Sequence, residues 1–460
     1  MSVFVPKSSL EGLEWPAITE GRTRALMAVQ HQLEHSQWWS PKDIKAKQFR
    51  QLGHLVAHAY RTTPFYKERL EAAGLDPKGR ITVKQWEKIP LLRREDIQKA
   101  GKTLHSAKVP PSHGKIGGIF TSGSTGKPIH ALRTRLFMFF FDSITLRDHY
   151  WQGFDVTKKL AAIRSSKKGD APYPDGGKGH WGNITGATPG AGNAVTLNLL
   201  CTAKEQVDWL QRQNPEYILT LPSNFRQLAE YCLENKIKLP NLRKGQTISE
   251  AVSPAVRDIC REAWGVELCD IYSAREAGYL ALQCPDHGHY HAQSEVTMVE
   301  VLNDEGKACE PGEMGRVVVT PLHNFAMPLL RYDIGDYAEA GEDCPCGRGL
   351  PVLKRVIGRE QGMLVLRSGE KVTTLLGSGD IKKFLGLAPV RQYQFVQKDL
   401  ETIEVRLAAK RKIKKKEEDS IKEWLTAKYG CPFTVTFVYL DEIEKGPSGK
   451  YHDFICEVKT

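Results

Sequence analysis

Thr121-Ser122-Gly123-Ser124-Thr125-Gly126-Lys127-Pro128 is the most informative stretch of this chain. Two glycines let the backbone turn and come close to an anion. The hydroxyls and N–H groups can donate to phosphate oxygens, and Lys127 adds positive charge. It is not a Walker A loop. That pattern needs Gly where this chain has Thr121, and Ser or Thr where it has Pro128. A short apolar run, Ile116 to Phe120, precedes the loop, so the segment through Ile129 reads as strand, loop, strand. A second glycine-rich segment, Gly177 to Gly182, matches a dinucleotide fingerprint by spacing alone. It follows Pro172, Pro174 and Asp175 rather than a strand, and reads as a loop.

Outward from the loop, the pattern on its N-terminal side is mainly helical to about residue 100. Apolar residues recur at helical spacing from Ala25 to Ser36, Asp43 to Ala57 and Phe65 to Ala73. On its C-terminal side, short apolar runs (Leu160 to Ile163, Tyr217 to Thr220) alternate with helical ones (Thr202 to Gln213, Asn224 to Asn235). That order implies an α/β fold with helices flanking a sheet. Ala292 to Val301 and Arg316 to Thr320 are β-branched and predict a β-rich subdomain. After Gly358 come strand candidates at Met363 to Leu366, Thr402 to Leu407 and Pro432 to Tyr439, with a helix over Ser420 to Tyr429. They predict a large N-terminal domain, 1–357, and a small, mobile α+β C-terminal domain, 358–460.

The chain has 460 residues, 41% of them hydrophobic and 26% charged, which suits a globular protein and excludes rods and low-complexity chains. The Leu136 to Phe141 run is far shorter than the roughly 20 residues of a membrane span. No secretory signal is apparent near Met1, and the ten cysteines are mostly isolated in apolar surroundings, so a cytoplasmic setting with reduced thiols is expected. The formal charge of +11 is partly local, in the run from Lys410 to Lys416, which reads first as a solvated helix face.

With the other motifs in order, the loop resembles the phosphate-binding signature of adenylate-forming enzymes, the acyl-CoA synthetases and adenylation domains. Tyr272-Ser273-Ala274-Arg275-Glu276 resembles that family's Tyr-Gly-x-Thr-Glu segment, Arg331 to Asp336 its next signature, Gly358-Arg359 its hinge, and Gly446 to Lys450 its C-terminal lysine motif. The resemblance implies that ATP phosphates lie on Thr121, Ser122, Gly123, Ser124, Thr125, Gly126 and Lys127. Tyr272 stacks on adenine, Ser273 is nucleotide-binding, Ser249 and Glu250 form an adenine-side loop, Asp336 holds the ribose and Arg359 touches ribose or phosphate. It implies Glu276 as ligand of Mg²⁺, and Lys450, Glu276 and Arg275 as the catalytic set. Arg275 departs from the family's Thr or Ser; it would meet a phosphate oxygen or pair with Glu276. The likeness is to phenylacetate–CoA ligase and CapK-like proteins, carried by Met327 to Tyr332 and by Cys344-Pro345-Cys346-Gly347-Arg348.

The implied activity is ATP-dependent conversion of a small carboxylic acid to an acyl adenylate, then transfer to CoA. An amine acceptor is the alternative, and a basic zinc-containing nucleic-acid-binding protein a remote one. Against the last, no basic residues interleave with aromatic ones and no nucleic-acid module is readable. No membrane partner is expected, and a homodimer is compatible. Cys344 and Cys346, with Cys284 and the histidines of 287–291, suit a closed structural Zn²⁺ site. In the ligase branch the histidine seven residues after the first cysteine fills this place, which selects Cys284, His291, Cys344 and Cys346, with His287 in reserve.

Overall fold

The computed structural model describes residues 6–75, 81–121, 128–167, 169–443 and 453–458. Helices Gly21–Ser36, Pro41–Thr62, Pro64–Ala72, Val83–Glu87 and Arg94–Ala100 lead the chain. Their ends carry local stop and start chemistry: the Ser40 hydroxyl accepts from Asp43 N–H, and Pro41 opens the helix behind it.

The centre is a twelve-stranded mixed sheet. Five neighbouring strands, Ala194–Asn198, Leu160–Arg164, Tyr217–Thr220, Lys244–Ile248 and Glu267–Ala274, run parallel. They read as continuous apolar runs because both faces are covered. Phe225, Leu228 and Trp209 pack on one face and Trp181, Phe154 and Leu146 on the other. Gly245 is required here, since a Cβ would meet Leu268 and the Phe225 ring. Strands Thr297–Leu302, Met314–Pro321, Tyr332–Ala340 and Val352–Arg359 form the antiparallel β-rich part.

Residues 292–301 are not one strand. Tyr290–Ala292 and Thr297–Leu302 are separate, because the helix Arg135–Trp151 buries Arg147 between them. Arg147 donates to Gln293 Oε1 at 2.8 Å and pairs with Glu295 at 2.8 Å. A buried guanidinium left without a carboxylate is costly, and that requirement overrides β propensity for four residues. The helix expected from Ser420 begins earlier, at Lys415, with Glu417 and Glu418 in its first turn where the helix dipole favours acids.

The C-terminal residues have their own core, from Leu364 through Phe384, Phe395 and Trp424 to Phe454, around a sheet ordered Thr434–Tyr439, Thr402–Ala409, Val390–Gln397, Phe454–Cys456. This unit docks on the helix Pro222–Glu234, where both Nη atoms of Arg226 donate to Asp453 at 3.2 Å. No helix among the described residues is long and apolar enough to cross a membrane.

Beneath the parallel strands lies a buried carboxylate, Asp148. Burial pushes its pKa up to about 8, and the nearby Asp270 charge pushes the same way, while Gln246 donates to one oxygen and opposes the rise. The folded state therefore keeps a proton that the unfolded chain releases near 3.8, so stability falls as pH rises from about 4 to about 8. Asp148→Asn is expected to raise the melting temperature at pH 8 and to lose that advantage near pH 4. Parallel melting curves for the two proteins across that range would contradict it.

Candidate active site

The C-terminal ends of the parallel strands and the adjoining antiparallel hairpin bring the singled-out residues together. Tyr272, buried on Glu267–Ala274, donates its hydroxyl to Asp336 Oδ2 at 2.9 Å. Arg359, the last residue of Val352–Arg359, pairs with the other oxygen, Nε to Oδ1 at 3.0 Å, and its Nη1 donates to the Ile334 carbonyl. Burial, then Asp336, drives the Tyr272 pKa well up, and the Asp336 charge holds Arg359 protonated. Both oxygens of Asp336 thus accept from groups on different strands. Gly335 takes φ +79°, and a Cβ there would sit 3.1 Å from Arg359 Nη1. A side chain at this position would be strained and would crowd the pair.

Glu276 lies in the turn after Tyr272 and is buried. The Tyr332 hydroxyl donates to it at 3.4 Å, and Glu276 forms no ion pair with Arg275. Arg275 is exposed and reaches back to the Phe120 carbonyl, Nη1 to O at 3.5 Å, just before the glycine-rich loop. Ser273 is half-buried beside Tyr272. Ser249 has φ +71°, and Glu250 accepts from Ser223 N–H at 3.0 Å, capping the helix that begins at Pro222. Ala251, next in line, lies where a Gly358 Cβ would touch it at 3.7 Å, so this loop borders the Gly358-Arg359 segment.

Ser122, Gly123, Ser124, Thr125, Gly126, Lys127 and Lys450 lie outside the described residues. The base of the loop is described. Thr121 N–H donates to the Ile129 carbonyl at 2.9 Å, and Thr121 Oγ1 accepts from Ile129 N–H at 3.0 Å, which pinches the loop closed. The same hydroxyl accepts from Arg94 Nη2 at 3.2 Å. Arg94 was not legible in the sequence, because nothing local separates it from the surface bases Arg93 and Lys99 around it. Arg331, in the Arg331 to Asp336 segment, is a structural anchor. It has φ +50°, donates to the carbonyls of Glu87 and Ile89, and pairs with Glu300 at 3.5 Å.

Beside this cluster, the helix Arg135–Trp151 and the strand Gly278–Gln283 enclose a cavity about large enough for one water, lined by Phe137, Phe140, Phe141, Tyr279 and His323. His323 stacks on Phe140, centroids 4.1 Å apart, and burial lowers its pKa to about 4. Of the aromatic residues near this stretch, Trp151 and Trp181 belong instead to buried clusters.

The cysteine–histidine cluster also assembles, and His289 lies within it. The donor atoms of Cys284, His289, His291 and Cys344 lie within 4.8 Å of one another. His289 Nε2 is 2.9 Å from Cys344 Sγ, and Cys284 Sγ 3.9 Å from the same sulfur. Cys346 falls in a second grouping with Cys284 and Asp286, its sulfur 3.5 Å from His291 Nε2. His289 thus joins the expected residues, and Cys346 stays within reach of His291 and Cys284. His287 stacks on His289 and joins neither grouping. Spacing could not separate His287, His289 and His291. The fold does, by bringing His289 Nε2 to Cys344 and His291 Nε2 to Cys346.

Residues 369–457 match the family model of the CapK C-terminal domain. The chain is homologous to phenylacetate-coenzyme A ligases and to CapK. It is 27% identical over 337 residues to a phenylacetate-coenzyme A ligase of Thermus thermophilus, covering 70% of this chain and 72% of the relative. It is 24% identical over 417 residues to CapK of Staphylococcus aureus, covering 87% and 86%. The fold is that of the CoA ligases: 2-hydroxyisobutyryl-CoA ligase in its postadenylation state, with an acyl-AMP, superposes with a TM-score of 0.71 at 17% identity over 98% of this chain and 97% of the other. The same ligase in its thioesterification state gives 0.59 at 19% identity over 98% of both chains.

Proposed function

We propose that this homologue of phenylacetate-coenzyme A ligases and CapK activates a small carboxylic acid with ATP and passes the acyl group to CoA. The observation that carries the reading is the convergence of Tyr272, Asp336, Arg359 and Glu276 beside the pinched base of the glycine-rich loop, with an apolar cavity alongside.

A carboxylate is a poor electrophile because its charge is delocalised. In the first step its oxygen attacks the α-phosphorus of ATP, pyrophosphate leaves, and an acyl adenylate forms. The Tyr272 ring would face adenine, and the Asp336 carboxylate would accept from the ribose hydroxyls, a role suited to a group that already accepts from two donors. Arg94 would orient Thr121, and Ser122 to Lys127 would donate to the phosphates. Arg275, which has no Glu276 pair, is free to meet phosphate oxygens. Ser249 and Glu250 would border the base. Lys450 would orient carboxylate and α-phosphate. Such donors act by positioning and by stabilising charge that builds on phosphoryl oxygens.

Glu276 fits a hard cation, since a buried carboxylate with one long hydroxyl contact among the described residues keeps oxygens to offer. Mg²⁺ bound there would neutralise phosphate charge. In the second step the CoA thiol attacks the acyl carbonyl and AMP leaves. Reorientation of the 358–460 unit would withdraw Lys450 and admit the thiol. The greater likeness to the postadenylation form supports the adenylation side of that cycle for the arrangement described here. The 410–416 run contributes less to CoA binding than its charge suggests, because Arg411 is paired with Glu417 at 2.6 Å and Lys415 with Glu418 at 3.3 Å.

The Cys284, His289, His291, Cys344 set has the donors and closeness of a closed zinc site, which would staple 284–291 to the 344–348 turn and do no chemistry. Burial keeps His291 neutral, its pKa lowered to about 4, ready to ligate. A cytoplasmic setting suits reduced thiols of this kind.

Pyrophosphate release should depend on an added carboxylic acid, and thioester should appear only with CoA. Glu276→Gln and Lys450→Ala are each expected to lower release by about a hundredfold or more. Unchanged release in both would contradict the assigned roles, and an amide product formed from an amine without CoA would move the acceptor to the alternative. For the metal, His289→Ala is expected to lose bound zinc and melt earlier, while Cys346→Ser keeps about one zinc per chain. The reverse pattern would restore Cys346 as the ligand.

A further inference from the structure

The helix Pro222–Glu234 carries three charges about one turn apart, Arg226, Glu230 and Glu234. Two of them cross to the C-terminal unit. Arg226 meets Asp453 as a fork, Nη1 to Oδ2 and Nη2 to Oδ1, each at 3.2 Å. Its guanidinium also lies over the Tyr393 ring, 5.8 Å from the centroid. Glu234 is 4.0 Å from Lys410. Glu230, between them, is turned along the helix instead, its Oε1 4.0 Å from Arg226 Nε.

Both ends of the fork are anchored. Phe225, Leu228 and Ala229, around Arg226, pack into the core on one face of the parallel strands. The Asp453 carbonyl accepts from Phe395 N–H at 2.9 Å, and the next residue, Phe454, belongs to the core of the C-terminal unit. Lys450 precedes Asp453 by three residues, so covalent geometry alone keeps the two Cα atoms within about 11 Å. Holding Asp453 against the helix therefore restricts where Lys450 can act.

Arg226 thus has two acids within reach. The paired donors to Asp453 are the stronger contact, because both N–H groups point at one carboxylate. The 4.0 Å approach of Glu230 is weaker, but it lies within the large domain and does not depend on docking. If the C-terminal unit moves off, Asp453 leaves with it, and Glu230 remains one helical turn from the guanidinium. The cation is then not left without an acid, so undocking costs less than the loss of the fork alone.

We propose that Arg226 is a positioning residue that exchanges partners: paired with Asp453 it holds the C-terminal unit docked for adenylation, and paired with Glu230 it lets that unit leave for acyl transfer. The inference rests on the two-step reading above and concerns how that same site passes from one step to the other.

The test follows the two half-reactions separately with the full chain. Acetate, benzoate and phenylacetate are offered with ATP in the absence of CoA, and pyrophosphate is measured in a single turnover. The corresponding preformed acyl adenylates are then supplied with CoA, and thioester is measured. Arg226→Gln and Asp453→Asn are each expected to slow the first half-reaction about three- to tenfold, the size of one charge-assisted pair at a partly exposed contact, without slowing the second. The double variant is expected to be no slower than either single one. Glu230→Gln is expected to do the opposite, slowing thioester formation and sparing adenylation. A purely structural role would slow both halves alike, and that result would overturn the exchange. Additive losses in the double variant, or a Glu230→Gln protein unchanged in both halves, would also overturn it while leaving adenylation standing. No pyrophosphate release by the unsubstituted protein with any acid offered would overturn this inference together with the adenylation reading.

Discussion

The carboxylate of Asp336, gripped between the Tyr272 hydroxyl and the Arg359 guanidinium, is the constraint on which the rest of the site depends. Its three residues come from three strands of one sheet. Tyr272 ends the parallel run, Asp336 lies on the antiparallel part, and Arg359 is the last residue before the C-terminal unit. One charge therefore ties the nucleotide-facing strand to the point where the chain leaves the large sheet. With Arg359 only partly buried, this ion pair adds little to global stability, but it fixes geometry.

The sheet positions this grip because its parallel strands are covered on both faces. Their apolar side chains fill the layers, and chemistry is confined to the strand ends and the turns after them. The helix Arg135–Trp151 serves both layers. Its buried Arg147 holds Gln293 and Glu295, and its Phe137, Phe140 and Phe141 wall the cavity. The C-terminal unit meets the rest of the chain at the Arg226–Asp453 pair and where Lys371 donates to the Tyr337 hydroxyl. Asp453 follows the lysine motif by three residues, so docking at this ion pair bears directly on where that motif can reach.

Much of this was legible in the sequence because it is local. Alternation and apolar runs mark Leu160–Arg164 and Tyr217–Thr220, and Thr202 with Glu205 marks a capped helix start. Tyr272, Glu276, Asp336 and Arg359 were readable from motif order. What was not legible depends on distant partners. The break at 293–296 is set by Arg147, almost 150 positions earlier. The approach of His289 to Cys344 is set by how two loops meet. Arg94 looks like an ordinary surface base until the fold brings it to Thr121. Charge in sequence likewise overstated the 410–416 run, whose partners at 417–419 neutralise part of it.

The central claim is that an acid oxygen is joined to the α-phosphorus of ATP within this grip. Carboxylic acids labelled with ¹⁸O in both carboxylate positions, incubated with ATP, CoA and the full chain, test it directly by mass analysis of the nucleotide product. The account predicts AMP carrying one ¹⁸O atom. Label in inorganic phosphate with ADP as the nucleotide, or AMP free of label while acid is consumed, would contradict it.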